Sequence, residues 1–221
     1  MLRILLLFSL FSTIYAFEQL LVVISDDINF TTATMQRYVK DGEFKKIGSS
    51  FEVTLARNGL GYDSFSLPLK NEGDGRAPAG LYPITSTFSY DENISFNMPH
   101  WHLDEHTYCV DDVDDARYNQ ILKIYSDLPR SYEIMKRADG VYRFGAVIGY
   151  NDSAVSGRGS CIFLHLNHSD FRPTSGCTAL ERVDLVRVLR WLDYSKKPHI
   201  LQIPSRDCKK YQEGFRGIEC E

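Results

Sequence analysis

Five cysteines, Cys109, Cys161, Cys177, Cys208 and Cys220, follow an N-terminus that has the layout of an export signal, and that combination constrains the fold most. Met1-Leu2-Arg3 supplies one positive charge, Ile4 to Phe11 is apolar but too short to span a bilayer, and Ser12 to Ala16 ends on a small residue. Residues 1–16 are therefore expected to be a signal peptide; an uncleaved N-terminal anchor is the alternative. The mature chain, residues 17–221, is then expected to be secreted into a compartment where disulfides persist. An odd count leaves at least one thiol over. Cys208 and Cys220 are close enough to clip the tail at 206–221, and Cys109 with Cys161 is the complementary pair. The sequence leaves both connectivities open.

The 221 residues fit one domain, here expected over 17–205, with the tail appended. Lys plus Arg number 25 against 29 Asp plus Glu, a net charge of −4, so no sequence-independent grip on nucleic acid is expected. Aromatic residues at 13% exclude a disordered chain. No run after the signal is apolar and long enough to cross a membrane. Leu20–Ile24, Phe51–Leu55, Leu81–Ile84, Val141–Tyr150, Ser160–Leu166 and His199–Ile203 have strand composition. The spacing of Met35 and Val39 predicts a helix over Thr31–Lys40. Asn71–Gly80, dense in Gly and Pro, reads as a long exposed loop, and His100–Asp115 as irregular surface. Leu180, Val183, Leu185, Val188, Leu189 and Leu192 trace one helical face. The expected class is mainly β with a few helices (α+β).

Chemistry concentrates between Gly159 and Glu181. His165 closes an apolar strand, and Cys177 follows a polar loop of 11 residues. Thr178-Ala-Leu-Glu181 has the Ser/Thr-x-x-Glu form of a capping box, which would set Cys177 beside a helix N-terminus and favour its thiolate. Gly176 would let the backbone turn tightly and aim N–H groups at an oxyanion. His165 would take the thiol proton. A structural Cys under a helix, with a core His nearby, explains the same residues equally well.

His165 followed by Thr174-Ser-Gly-Cys177 resembles the strand-borne His and Ser/Thr-x-Gly-Cys signature of the L,D-transpeptidase (YkuD-type) family, in its periplasmic Gram-negative branch. Glu72–Ile84, Tyr108–Asp112, Tyr118-Asn119 and Gly159–His165 also resemble segments of that branch, so the similarity covers most of residues 20–205. It implies a curved β-sheet or sandwich with the Cys at a loop–helix junction. Cys177 would be nucleophile and His165 base, with the Leu166 carbonyl orienting the ring and the Gly176 amide facing the oxyanion. The implied substrates are peptidoglycan stem tetrapeptides, joined through a thioester in the periplasm without a cofactor. Water as acceptor would make the enzyme an L,D-carboxypeptidase. A catalytically silent wall-binding protein is the reading from another class.

Two departures motivate the last alternative. Many family members have a second His where this chain has Ser175, and an Arg where it has Ala179. Thr174, Ser175, Arg172 and Arg143 are the candidate substrate-binding residues, with Arg158 and Lys70 as further cations able to grip a carboxylate. Arg182 and Arg187 read as an exposed helix face. A sortase-like transpeptidase is disfavoured because there the His and Cys lie much farther apart. His100, His102 and His106 do not share a helix face, so no metal is expected. Asp111–Asp115 lacks the Gly and Glu of a calcium loop. The Asn-x-Ser/Thr triplets at Asn29, Asn93, Asn151 and Asn167 read as chance, and His168 as an exposed loop residue.

Overall fold

In a computed structural model that describes residues 17–64 and 66–220, Leu20–Ile24 forms the middle of strand β1 (Gln19–Ser25). The expected signal at 1–16 lies outside the described residues. β1 can be apolar on both faces because both are covered. Leu21 and Val23 face the main core, whereas Leu20 and Val22 pack with Phe17, Phe44, Phe215 and Ile218 near the C-terminal tail.

The strands that follow are β2 (Thr32–Asp41), β3 (Glu43–Thr54), β4 (Leu60–Tyr62), β5 (Ala77–Ser89) and β6 (His100–His102). Then come β7 (Thr107–Val110), β8 (Ile121–Lys123), β9 (Tyr132–Ile134), β10 (Phe144–Ile148), β11 (Phe163–Leu166), β12 (Thr178–Leu180) and β13 (His199–Pro204). Helix α1 (Arg182–Trp191) lies between β12 and β13, and the short α2 (Cys208–Gln212) is in the tail.

The larger sheet runs β10-β11-β12-β3-β2-β1-β13-β5, and β5 also pairs with β10. β5 does this along its length, meeting β13 at Gly80–Pro83 and β10 at Ile84–Ser89. The pairing is thus cyclic, with β4 and β6 attached to β5. Closure satisfies backbone groups that an open sheet would leave at its edges. Met35, Val53, Leu55, Ile84, Ala146, Leu164 and Ile200 share the enclosed core, joined by Leu185, Val188 and Leu189 of α1. The protein is mainly β with few helices, as its composition predicts.

Three local expectations are corrected. Thr31–Lys40 is not a helix: Thr32–Asp41 is β2, paired with β3 across a turn at Gly42. A register shift between Met35 and Arg37 breaks the two-residue alternation there, which is why the pattern looked helical. Loop 71–80 is shorter than expected, because β5 begins at Ala77 and its first residues are buried. His100–Asp115 is not irregular throughout, since it contains β6 and β7.

β8, β7 and β9 form a second, three-stranded sheet. The Cys109–Cys161 disulfide ties it to the segment leading into β11, and Cys208–Cys220 closes the tail. Cys177 is the free cysteine among the described residues. Among the same residues no helix is long and apolar enough to cross a membrane.

Candidate active site

Alternation along β11 places the candidate base. Leu164 joins the enclosed core, while Phe163 packs on the opposite face with Phe88, Cys109, Met135, Tyr142 and Cys177. His165 shares that face, with its ring 5.2 Å from Tyr142 and edge-on to it. Between this face and the three-stranded sheet lies a cleft of about 560 Å³ lined by His165, Gly176 and Cys177.

His165 is 3% exposed. Its Nδ1 lies 2.8 Å from the Leu166 carbonyl oxygen, which can only accept, so Nδ1 carries the proton and Nε2 is left with a lone pair. Burial lowers its pKa from 6.5 to about 4, against a smaller upward pull from that carbonyl. The ring is therefore a neutral base at pH 7. Between pH 6.5 and about 4, an unfolded chain takes up a proton here that the folded chain refuses. Stability present above pH 6.5 is then lost as pH falls through that window, by roughly 3 kcal/mol. Urea titrations at pH 7 and pH 4 should show this loss, and His165→Gln should lose less over the same interval.

Cys177 does not sit at a helix N-terminus. Thr178–Leu180 is strand β12, with Leu164 opposite Thr178 and His165 opposite Ala179, and α1 starts only at Arg182. The apparent capping box fails because tertiary pairing claims its residues: the Thr178 hydroxyl donates to Gln202 Oε1, and Glu181 caps nothing with its side chain. With no helix dipole beside it, the thiol is dominated by burial, which raises its pKa well above the ordinary value, and the Glu133 charge raises it further. The thiol donates to the Cys161 carbonyl at 3.4 Å and accepts from the Phe163 amide at 3.3 Å. Among the described residues no hydrogen bond joins Cys177 to His165, so the resting site holds a neutral thiol and a neutral imidazole rather than a preformed ion pair.

Gly176 lies in the bend at 175–177, with φ outside the left-handed region, and a Cβ there would lie 3.3 Å from Ile162 Cδ1. Thr174 shapes the turn, its hydroxyl donating to the Cys177 carbonyl at 2.6 Å and accepting from the Gly176 amide at 3.3 Å. The disulfide reaches the site through Cys161, which adopts φ +55° and donates its amide to Asn119 Oδ1 at 2.9 Å. Asn119 is itself held by bonds to the Tyr150 and Asn151 carbonyls.

Thr174, Ser175, Arg172, His168 and Lys70 also line this cleft. His168 is therefore a cleft residue, and its Nδ1 lies 3.2 Å from Arg172 Nη2. Lys70 is buried and paired with Asp74 at 3.0 Å. Arg143 is not in the cleft: it lines a separate groove with Arg182 and Lys136, because it points away from its buried neighbours Tyr142 and Phe144. Arg158 is paired with Asp63 outside the cleft. Among the described residues no cluster of His, Cys, Asp and Glu is arranged to hold a metal ion.

Sequence reasoning missed Tyr142, Glu133 and Arg57. Tyr142 donates to Glu133 Oε2 at 2.5 Å, and Glu133, whose pKa is raised by burial, projects from β9 opposite Cys109. Arg57 donates to Ser175 Oγ at 3.1 Å. None of the three belongs to a motif: Glu133 reaches the cleft on β9, Arg57 follows the Ala56–Thr174 bridge, and Tyr142 lies in the turn before β10. Comparison with protein-family models gives no match, and a search of curated proteins gives none either.

Proposed function

We propose that this protein is a cysteine L,D-transpeptidase of the cell wall, acting on peptidoglycan stem tetrapeptides through a thioester. The observation that carries this reading is the convergence in one cleft of the free thiol and a histidine whose tautomer leaves Nε2 unprotonated. The resemblance of His165 and Thr174–Cys177 to the family signature supplies the substrate.

In this mechanism, Cys177 Sγ attacks the carbonyl joining the L-centre of the diamino acid to the terminal D-Ala, and the thiol proton moves to His165 Nε2. Because the resting thiol is protonated, His165 acts as a general base during attack. The amides of Gly176 and Cys177 receive the oxyanion; the 3.3 Å bond from Gly176 to Thr174 Oγ1 is long enough to yield to a charged acceptor. His165 then protonates the departing D-Ala amine, the C–N bond breaks, and the acyl group remains as a thioester. A second stem's side-chain amine, deprotonated by His165, attacks the thioester, forms the cross-link and restores the thiol.

Two disulfides beside a free thiol suit an oxidising compartment such as the periplasm, consistent with the signal-like N-terminus. Incubation with disaccharide-tetrapeptides should release free D-Ala. The absence of D-Ala at any pH where the protein is folded would overturn the proposal.

A further inference from the structure

Arg57 is the cation at the cleft that neutral groups hold. β3 ends at Thr54, Ala56 bridges Thr174, and the Arg57 amide donates to the Thr174 carbonyl at 2.9 Å. This anchors the backbone beside the loop that carries Cys177. Its guanidinium gives Nη1 to Ser175 Oγ at 3.1 Å and Nη2 to the Gly73 carbonyl at 3.4 Å. Gly75, at φ +68°, leaves room for it: a Cβ there would stand 2.7 Å from Arg57 Nε and 2.8 Å from Cζ.

The other cleft cations each have an acid. Lys70 meets Asp74 at 3.0 Å, Arg137 meets Asp139 at 2.6 Å, and Arg172 meets Asp170 at 3.8 Å. Among the described residues Arg57 has no carboxylate within ion-pair distance, although it is exposed and lines the cleft. A guanidinium keeps its charge at any working pH and presents five donors in a fixed fork suited to a carboxylate. Here the fork is held by acceptors that do not neutralise it.

We infer that Arg57 binds the free C-terminal carboxylate of the donor peptide, and so makes the enzyme selective for release of a terminal residue. The inference rests on the transpeptidase reading for the identity of the peptide. In that reading the carboxylate lies one residue beyond the scissile carbonyl, and Arg57 is anchored on Ser175, two residues before the nucleophile. Arg57 is then a substrate-binding and specificity residue, with no part in proton transfer.

The test compares a stem tetrapeptide with the same peptide amidated at its C-terminus, using the unaltered protein, Arg57→Gln and Arg57→Lys. The unaltered protein should favour the free acid by roughly tenfold or more in kcat/KM. Arg57→Gln should lower kcat/KM for the acid, chiefly by raising KM, and abolish the preference for acid over amide; Arg57→Lys should restore part of it. A preference for acid over amide in Arg57→Gln as large as that of the unaltered protein would overturn the inference. Binding of both peptides to Cys177→Ala separates this from the reaction itself. If acid is bound in preference to amide through Arg57 but D-Ala is never released, the carboxylate site stands and the transpeptidase reading falls.

Discussion

Cys177→Ala is expected to lower D-Ala release by at least about 10³-fold while the protein stays folded. The substitution removes Sγ, which makes one weak bond to the Cys161 carbonyl and receives one from the Phe163 amide. Those contacts, with the small void left behind, are worth about 1 kcal/mol, so the melting temperature should fall by only a few degrees. Cys177→Ser should also be nearly inactive: a buried hydroxyl is far harder to deprotonate than a thiol, and His165 is a weak base with a pKa near 4. Release of D-Ala at unaltered rates from either variant would show that another group performs the attack. Urea unfolding of the same samples distinguishes a lost nucleophile from a lost fold.

Opening the Cys109–Cys161 disulfide should have the largest effect on stability and a second effect on activity. The bridge spans 52 residues, and loop-closure entropy assigns such a link about 4 kcal/mol. In a chain of this size that corresponds to roughly 10 °C in melting temperature. Cys109→Ser also frees the three-stranded sheet, which supplies Glu133 to Tyr142 and through it supports the wall around His165. Cys161 is coupled to Cys177 directly, since its carbonyl accepts the Cys177 thiol and its backbone holds φ +55°. Cys109→Ser should therefore lower kcat about tenfold or more at temperatures where the protein remains folded. Opening Cys208–Cys220 instead should leave kcat unchanged, because that bridge lies in the tail and faces the other side of β1. Equal effects of the two bridges on kcat would contradict the role given to the smaller sheet.

The strand buried on both faces at Leu20–Ile24 was legible in sequence because it is a continuous, β-branched apolar run. The α1 face at Leu185, Val188 and Leu189 was legible as a period of 3.6. β2 was not, since a bulge at Met35–Arg37 disturbs the alternation that identifies a strand. Thr178-Ala-Leu-Glu181 fits a capping box locally, yet the register with β11 turns it into the strand that carries the thiol. A strand in place of a helix reverses the charge expected of Cys177, from a thiolate favoured by a helix to a thiol kept neutral by burial. Cys177 and His165 could be picked out because they are near each other in sequence, whereas the role of the Leu166 carbonyl came only with the family resemblance. Glu133, Tyr142 and Arg57 come from separate segments, so only sheet closure and the smaller sheet bring them to the cleft.

The most direct test of Cys177 as an acylating nucleophile is intact-mass analysis of the protein and its products after brief mixing with disaccharide-tetrapeptide. The expected result is a protein adduct equal to the substrate less D-Ala, located at Cys177 by digestion, together with free D-Ala and a cross-linked product. An unmodified protein mass with intact tetrapeptide, under conditions where Cys177 reacts with a small thiol reagent, would contradict it.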